Sequence, residues 1–384
     1  VGSGLATGNM LDVFGPVRSF LELDPVRIES HWFHLYTKTT TVILITLSLL
    51  VTCGQYIGDP IDCMVHDIPP PVIDTYCWIH STFTVPGKFQ NVGVQIPHPG
   101  VAPYTHEDET KQHKYYQWMC FFLFFQALVF YLPRYIWHGM EGGLMGHLCG
   151  GLRVVVIERE AREERKDLVV TYFKNNTGFH RRYAFKYLLC EILCGLNVIL
   201  QLFFINYFLD GEFMTYGAEV VRFSQMETQD RMDPLSRVFP KVTKCNFNKY
   251  GPTGTIQRYD ALCVLPLNIV NEKIIIFVWF WYVILCALFV VIIFYRALLI
   301  ISSKFRATHL KLKCVTKGRN DVDIVSDFCC YGDWFVMALM SVNMDSGVFS
   351  EIISDLAKVL PLRGASDEEG QGMLEKESTT EKRS

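Results

Sequence analysis

Thr37-Lys38-Thr39-Thr40-Thr41-Val42-Ile43-Leu44-Ile45-Thr46-Leu47-Ser48-Leu49-Leu50-Val51-Thr52-Cys53-Gly54-Gln55-Tyr56-Ile57-Gly58-Asp59-Pro60-Ile61-Asp62-Cys63 decides how the rest of the chain is read. No charge falls between Lys38 and Asp59, a length that carries a helix across the apolar core of a bilayer. At 100° per residue, Thr37, Thr41, Ser48, Thr52 and Gln55 fall within roughly one sixth of the helix circumference. Such a stripe has two readings. Small polar residues hydrogen-bond across to neighbouring helices, or they face water and line a pore. The span ends in a turn that holds two carboxylates, Asp59 and Asp62, and a cysteine.

Composition agrees with a membrane protein. Half of the 384 residues are hydrophobic and 14% are aromatic, too apolar for an ordinary soluble domain. A net charge of −3 excludes a nucleic-acid binder of the basic kind. The first nine residues are Gly-rich and patternless, and read as a remnant or an alternative leader before Met10. Met10, Leu11, Asp12 and Phe14 open a short amphipathic segment with apolar residues at helical spacing. It could lie on the membrane, pack on the bundle or fold into a pore mouth.

Hydropathy divides the chain as follows. Residues 1–36 are the leader and amphipathic segment, and 37–56 the first span. Residues 57–114 form a first polar loop and 115–137 a second span, with Pro133 near its end. Residues 138–186 are a charged segment and 187–209 the third span, with Glu191, Cys194, Asn197 and Gln201 on one side. Residues 210–273 form a second polar loop and 274–301 the fourth span. The tail, 302–384, is basic at first, helical in the middle around Trp334 and Ile352, and expected to be disordered over 364–384. Within the second loop, Gly251-Pro252-Thr253-Gly254 predicts a hairpin turn. Basic residues gather beside the spans in the middle segment and the tail, which puts both termini and the middle segment in the cytosol. The fold class expected is an all-α polytopic membrane protein: a four-helix bundle subunit with loops holding short strands.

Thirteen cysteines cannot all pair. Cys63 and Cys77 lie in one polar loop, Cys245 and Cys263 in the other, and these four are the even set on the oxidising side. Four cysteines allow three connectivities. No enzyme constellation emerges. His31 and His34, and the cluster His106, Glu107, Asp108 and His113, lack a third ligand at a recognised spacing. Cys190 and Cys194 read as packing residues, and Cys329-Cys330 as inert thiols.

Tyr115-Tyr116-Gln117-Trp118 at the head of the second span, followed by Phe130-Tyr131-Leu132-Pro133-Arg134-Tyr135, resembles the innexins, the invertebrate gap-junction proteins. Tyr56 to Cys63, Cys77-Trp78-Ile79, Phe239 to Cys245, Leu265 to Ile269 and Gly332-Asp333-Trp334-Phe335 resemble them too. Met119 departs from the Val usual after that Trp. The resemblance implies a gap-junction channel subunit in the plasma membrane, not an enzyme, with no cofactor. It would form a homo- or hetero-oligomer with other innexins, a ring of eight that docks with a ring in the neighbouring cell and passes ions and small solutes. Membrane lipid surrounds such a ring, and nucleic acid has no part in it.

The resemblance further implies the pairings Cys63–Cys263 and Cys77–Cys245. It favours the water-facing reading of the first span, so that Thr37, Thr41, Ser48, Thr52 and Gln55 line the pore with the segment from Met10 to Phe14. Asp59 and Asp62 would then sit at the outer vestibule. An unpaired channel that releases solutes outward is the alternative. The one Asn-x-Ser/Thr site, Asn175-Asn176-Thr177, lies on the cytosolic side of this reading, so the loops are bare of glycan and docking is permitted.

Overall fold

A computed structural model describes residues 26–89, 95–105, 108–150, 152, 159–225, 234–315 and 319–360. The expectations for Met10, Leu11, Asp12 and Phe14, for His106 and Glu107, and for the tail beyond 360 lie outside these residues.

Four helices among them are long and apolar enough to cross a membrane. They are α1 (His31–Tyr56), α2 (Tyr115–Glu141), α3 (Arg181–Phe208) and α4 (Pro266–Ile301). Each runs past the apolar stretch that hydropathy isolates, because backbone hydrogen bonding continues through polar turns that a transfer scale excludes. At 1.5 Å per residue, the 36 residues of α4 reach about 54 Å, well beyond a hydrocarbon core of about 30 Å. Within α1, Leu35–Thr39 forms a π-helical turn, and Ser30 caps its start by accepting the Phe33 N–H.

The chain folds as two compact units. The sheet unit comprises 39–131 and 195–288, and the tail unit 1–38, 132–194 and 289–384. The sheet unit takes its name from five antiparallel strands: β1 (Asp62–Met64), β2 (Thr82–Thr84), β3 (Lys111–His113), β4 (Val242–Tyr250) and β5 (Ile256–Val264). Their spatial order is β1-β5-β4-β2-β3. Thus the two polar loops interleave in a single sheet, with β1, β2 and β3 from the first and β4 and β5 from the second. The β4–β5 hairpin is longer than the sequence suggests, nine residues a side. Its turn closes through Gly251 N–H to the Thr255 carbonyl at 2.8 Å. Gly254 takes φ +82° there, which a side chain would resist.

In the tail unit, much of the described chain outside the spans is helical. Arg159–Asn176, Ser303–Lys311, Asp321–Phe328, Tyr331–Asn343 and 346–360 are all helical. The charged helix Arg159–Asn176 is less solvated than its alternating signs imply. Lys166 is buried and bonds Glu351 at 2.9 Å and Glu163 at 2.8 Å.

Candidate functional site

Two disulfides lock the sheet unit. Cys63 on β1 stands opposite Cys263 on β5 in register, and their sulfurs are bonded with Cα atoms 4.0 Å apart. Cys77 lies on the helix Pro70–His80, which Pro70 and Pro71 open at positions where no N–H is required. It bonds Cys245 on β4. Each bridge joins the first loop to the second, across 200 and 168 residues of sequence. Around them Ile61, Ile73, Ala261 and Leu265 are buried in a single apolar cluster. Asp74, on the same helix as Cys77, accepts the Cys63 N–H at 2.7 Å. Burial raises the Asp74 carboxyl above its usual range against that hydrogen bond, and Asp62 and Asp59 push it further. Sequence reasoning passed over Asp74, although its place one turn before Cys77 put it within reach.

The aromatic signature at the head of α2 now has a physical account. Tyr116 is fully buried, its ring 4.7 Å from that of Trp78 beside Cys77. Gln117 donates to the Trp78 carbonyl. Tyr115 meets Phe239 edge-on at 5.4 Å, and Phe239 begins the approach to β4. The motif therefore anchors both loops to the top of one span. Trp118 is 62% exposed and makes no such anchor.

The polar stripe of α1 is turned largely into the subunit. Thr37, Thr41 and Ser48 are all buried inside the subunit. Thr37 donates to the Phe33 carbonyl at 2.8 Å, Thr41 to Ala127 at 3.2 Å and Ser48 to Cys120 at 2.8 Å. The last two bonds cross from α1 to α2, so this face is packing. A residue sealed within one subunit stays sealed in any ring of subunits. Thr52 is half-buried and donates to the Ser48 carbonyl of its own helix; Gln55 is half-buried as well. Asp59 and Asp62 are exposed. The exposed side of α1 carries Thr46, Leu50, Cys53 and, just past its end, Ile57.

Pro133 removes an N–H from α2 and so frees the carbonyl four residues earlier, Val129. Asn197 of α3 donates to that carbonyl at 3.2 Å. This assigns a role to the amide that sequence periodicity placed on a polar face, and the partner was legible by counting back from the proline.

In the tail unit, Glu191 of α3 receives both Nε and Nη2 of Arg296 on α4, at 2.7 and 2.6 Å. Both groups are buried. An intramembrane carboxylate needs a partner of this kind, and Arg296 was one of few basic residues in an apolar run. Gly332 of the tail motif cannot carry a side chain, since a Cβ would lie 2.5 Å from the His180–Arg181 backbone. Asp333 beside it is fully buried and binds His180 Nδ1 at 2.6 Å, with further bonds from the Gly178 and Cys330 N–H groups. Burial raises the Asp333 carboxyl, and the hydrogen bonds from His180, the Cys330 thiol and the Gly178 N–H outweigh it and hold it below the usual range. Trp334 donates to the Arg306 carbonyl at 3.0 Å. The motif thus fixes the tail to the start of α3.

Of the candidate metal or enzyme residues in the first loop, the two that are described bond within the protein. Asp108 accepts the Thr105 N–H, and His113 is buried on β3 with Nε2 2.8 Å from the Thr84 hydroxyl. Among the described residues, the group of side chains close enough to share an ion is Cys63, Cys77 and Cys263, whose sulfurs are in disulfides.

The family model of the innexins matches residues 29–360. The chain belongs to the innexin family. It is 49% identical to innexin inx2 of Schistocerca americana over 353 residues, 91% of this chain and 98% of that one. Innexin inx2 of Drosophila melanogaster is 48% identical, with 91% and 96% covered. Innexin shaking-B of the same fly is 40% identical, with 91% and 95% covered. In this innexin the matched region takes in the four spans, both disulfides and the Gly332–Phe335 motif.

Proposed function

We propose that this innexin is the subunit of a gap-junction channel in which a ring of eight docks, through its sheet units, with a ring in the next cell. Both termini and the segment between α2 and α3 lie in the cytosol, a reading that the basic residues beside the spans support. The observation that carries the reading is the joining of two loops, 200 and 168 residues apart at their bridges, into one disulfide-braced sheet. A surface that must meet its partner without reorganising loses less entropy on binding when it is braced in advance. The exposed hairpin tip, with Tyr250 and Ile256 each more than 70% exposed, gives that sheet apolar area to bury.

The pore side of the first span follows from what packing leaves over. Thr46, Leu50, Cys53 and Ile57 fall within about 60° of one another on α1 and lead outward to Asp59 and Asp62. Carboxylates at that mouth favour cations.

Junctional conductance between paired cells expressing the chain, beside conductance of single cells, tests the reading. Current between pairs with little leak in single cells is the expected result. Large single-cell currents without transfer would replace it with an unpaired, solute-releasing channel. A charged thiol reagent applied to open channels should reduce current through Cys53. Cys53→Ser should be resistant, and Ser48→Cys in that background should stay resistant. A block at position 48 would restore the polar stripe to the pore.

A further inference from the structure

A cavity of about 380 Å3 opens in the tail unit between the start of α1, the end of α4 and the helix Tyr331–Asn343. One side is basic. Arg27, His31 and Lys313 line it, and none of them has a carboxylate partner among the described residues. Arg27 is held there by its main chain, whose N–H and C=O both bond the Asn343 side chain at 2.7 and 2.6 Å. The guanidinium is left to project. The carboxylate on the wall, Glu29, is already taken by Arg134 at 3.1 Å and His138 at 2.9 Å. Arg296 on the wall is balanced by Glu191. The cavity therefore carries a surplus of positive charge.

Its other side is apolar. Trp32, Leu339 and Val342 line it, and Trp32 and Val342 are each 43% exposed. His309 lies at the junction of the two surfaces, edge-on to Trp334 at 5.3 Å. Its Nδ1 has no hydrogen-bond partner among the described residues although little water reaches it. Burial, with Lys313 and Arg296 nearby, holds the imidazole below its ordinary pKa. It stands neutral, with a ring nitrogen unfilled.

We propose that this cavity binds an anionic phospholipid of the cytosolic leaflet, its phosphate between Arg27, His31 and Lys313 and its acyl chains along Trp32, Leu339 and Val342. A soluble anion would use the first surface and leave the second in water. An apolar peptide would leave the charges uncompensated. A lipid with a charged head satisfies both, and the walls are the ends of two membrane-spanning helices, where such a lipid is at hand. The site couples α1, α4 and the tail helix, so its occupancy would tie the cytosolic domain to the span proposed to line the pore. This inference rests on the four-span reading and not on docking between cells.

Native mass spectrometry of the full chain, purified in non-ionic detergent, tests it directly. The probes are phosphatidylinositol bisphosphate, phosphatidylserine and phosphatidylcholine with identical acyl chains, and inositol trisphosphate as the free headgroup. The assembled subunits should retain the anionic lipids at least about tenfold over phosphatidylcholine, at roughly a kcal/mol for each basic residue near the headgroup. Arg27→Gln with Lys313→Gln should remove that preference, whereas Lys304→Gln with Arg182→Gln, equal in charge but away from the cavity, should not. Val342→Trp keeps every charge and fills the mouth; it should lower lipid retention and decides the matter should the double variant fail to assemble. Equal retention by wild type and Val342→Trp would overturn the proposal. Headgroup binding as strong as lipid binding would show a soluble-anion site instead. Because the readout is mass, a failure here leaves intercellular conductance untouched, and the reverse.

Discussion

In the sheet unit the ties between distant parts of the chain are covalent: two disulfides join β1 and the helix before β2 to the β4–β5 hairpin. In the tail unit they are polar, two ion pairs and a hydrogen bond. Glu191 holds Arg296, Asp333 holds His180, and Glu29 holds Arg134. The six described cysteines of the tail unit are all free thiols. Burial pushes Cys149 up to about 12 and raises Cys329 and Cys330 as well. A protonated thiol is a poor nucleophile, so burial makes these three cysteines slow to oxidise. The difference teaches that one chain can brace its two units with different kinds of long-range bond. Disulfides persist in an oxidising space, and buried charge pairs need no oxidant.

Breaking a bridge should have the largest effect. With Cys77–Cys245 intact, the loop that Cys63–Cys263 closes shortens to about thirty residues, which the chain-entropy model values at about 4 kcal/mol. Cys63→Ser or Cys263→Ser should therefore abolish coupling between paired cells while monomer synthesis continues. Full coupling in either variant would remove the brace from the mechanism. An impermeant reductant outside the cell should reproduce the loss, and acting inside it should do nothing.

The ionic side comes next. Removing one member of a buried pair strands the other, at a cost of about 3 kcal/mol. Glu191→Gln should lower the thermal midpoint of the detergent-solubilised oligomer, measured by size-exclusion after heating. Glu191→Leu with Arg296→Met should recover most of the loss, because no charge is then left unpaired. If the double variant falls as far as the single one, the pair contributes more than neutralisation of its own charges.

An acid titration separates the units without mutation. His113 is buried neutral in the sheet unit, where burial and then Lys111 depress its pKa to about 4 from 6.5. The folded state thus binds fewer protons than the unfolded state between those values. Stability is whole above about 6.5 and falls as pH drops toward 4, by about 1 kcal/mol at pH 5.5 and about 3 at pH 4. Hydrogen exchange at β2 and β3 should quicken over that window. His113→Gln should flatten the dependence there and leave exchange in the helix Tyr331–Asn343 unaltered.

How legible these two units were differs in the same way. The spans, the hairpin at Gly251–Gly254 and the sharing of four cysteines between two loops were readable because each is local: a run, a turn, a spacing. The face that α1 presents was not. Thr41 and Ser48 have the same periodicity whether they face water or the carbonyls of Ala127 and Cys120, and only the position of α2 distinguishes the two. Asp333 with His180, 153 residues apart, has no local signal beyond the Gly-Asp-Trp-Phe motif. That motif marked importance without naming a partner.

The smallest effect tests whether such a missed partner matters. Pro133 leaves the Val129 carbonyl without its helical N–H, and the Asn197 amide supplies the bond from the next span. Hydrogen bonds between membrane helices average about 0.6 kcal/mol, so Asn197→Leu should lower the thermal midpoint only slightly. Pro133→Ala alone should be tolerated, since the helix can then bond Val129 through its own backbone. The informative comparison is Asn197→Leu in the Pro133→Ala background, where the carbonyl no longer needs the amide. There the penalty should shrink toward zero. An undiminished loss would mean that Asn197 acts through its packing against α2 and that the proline and the asparagine are independent features of the bundle.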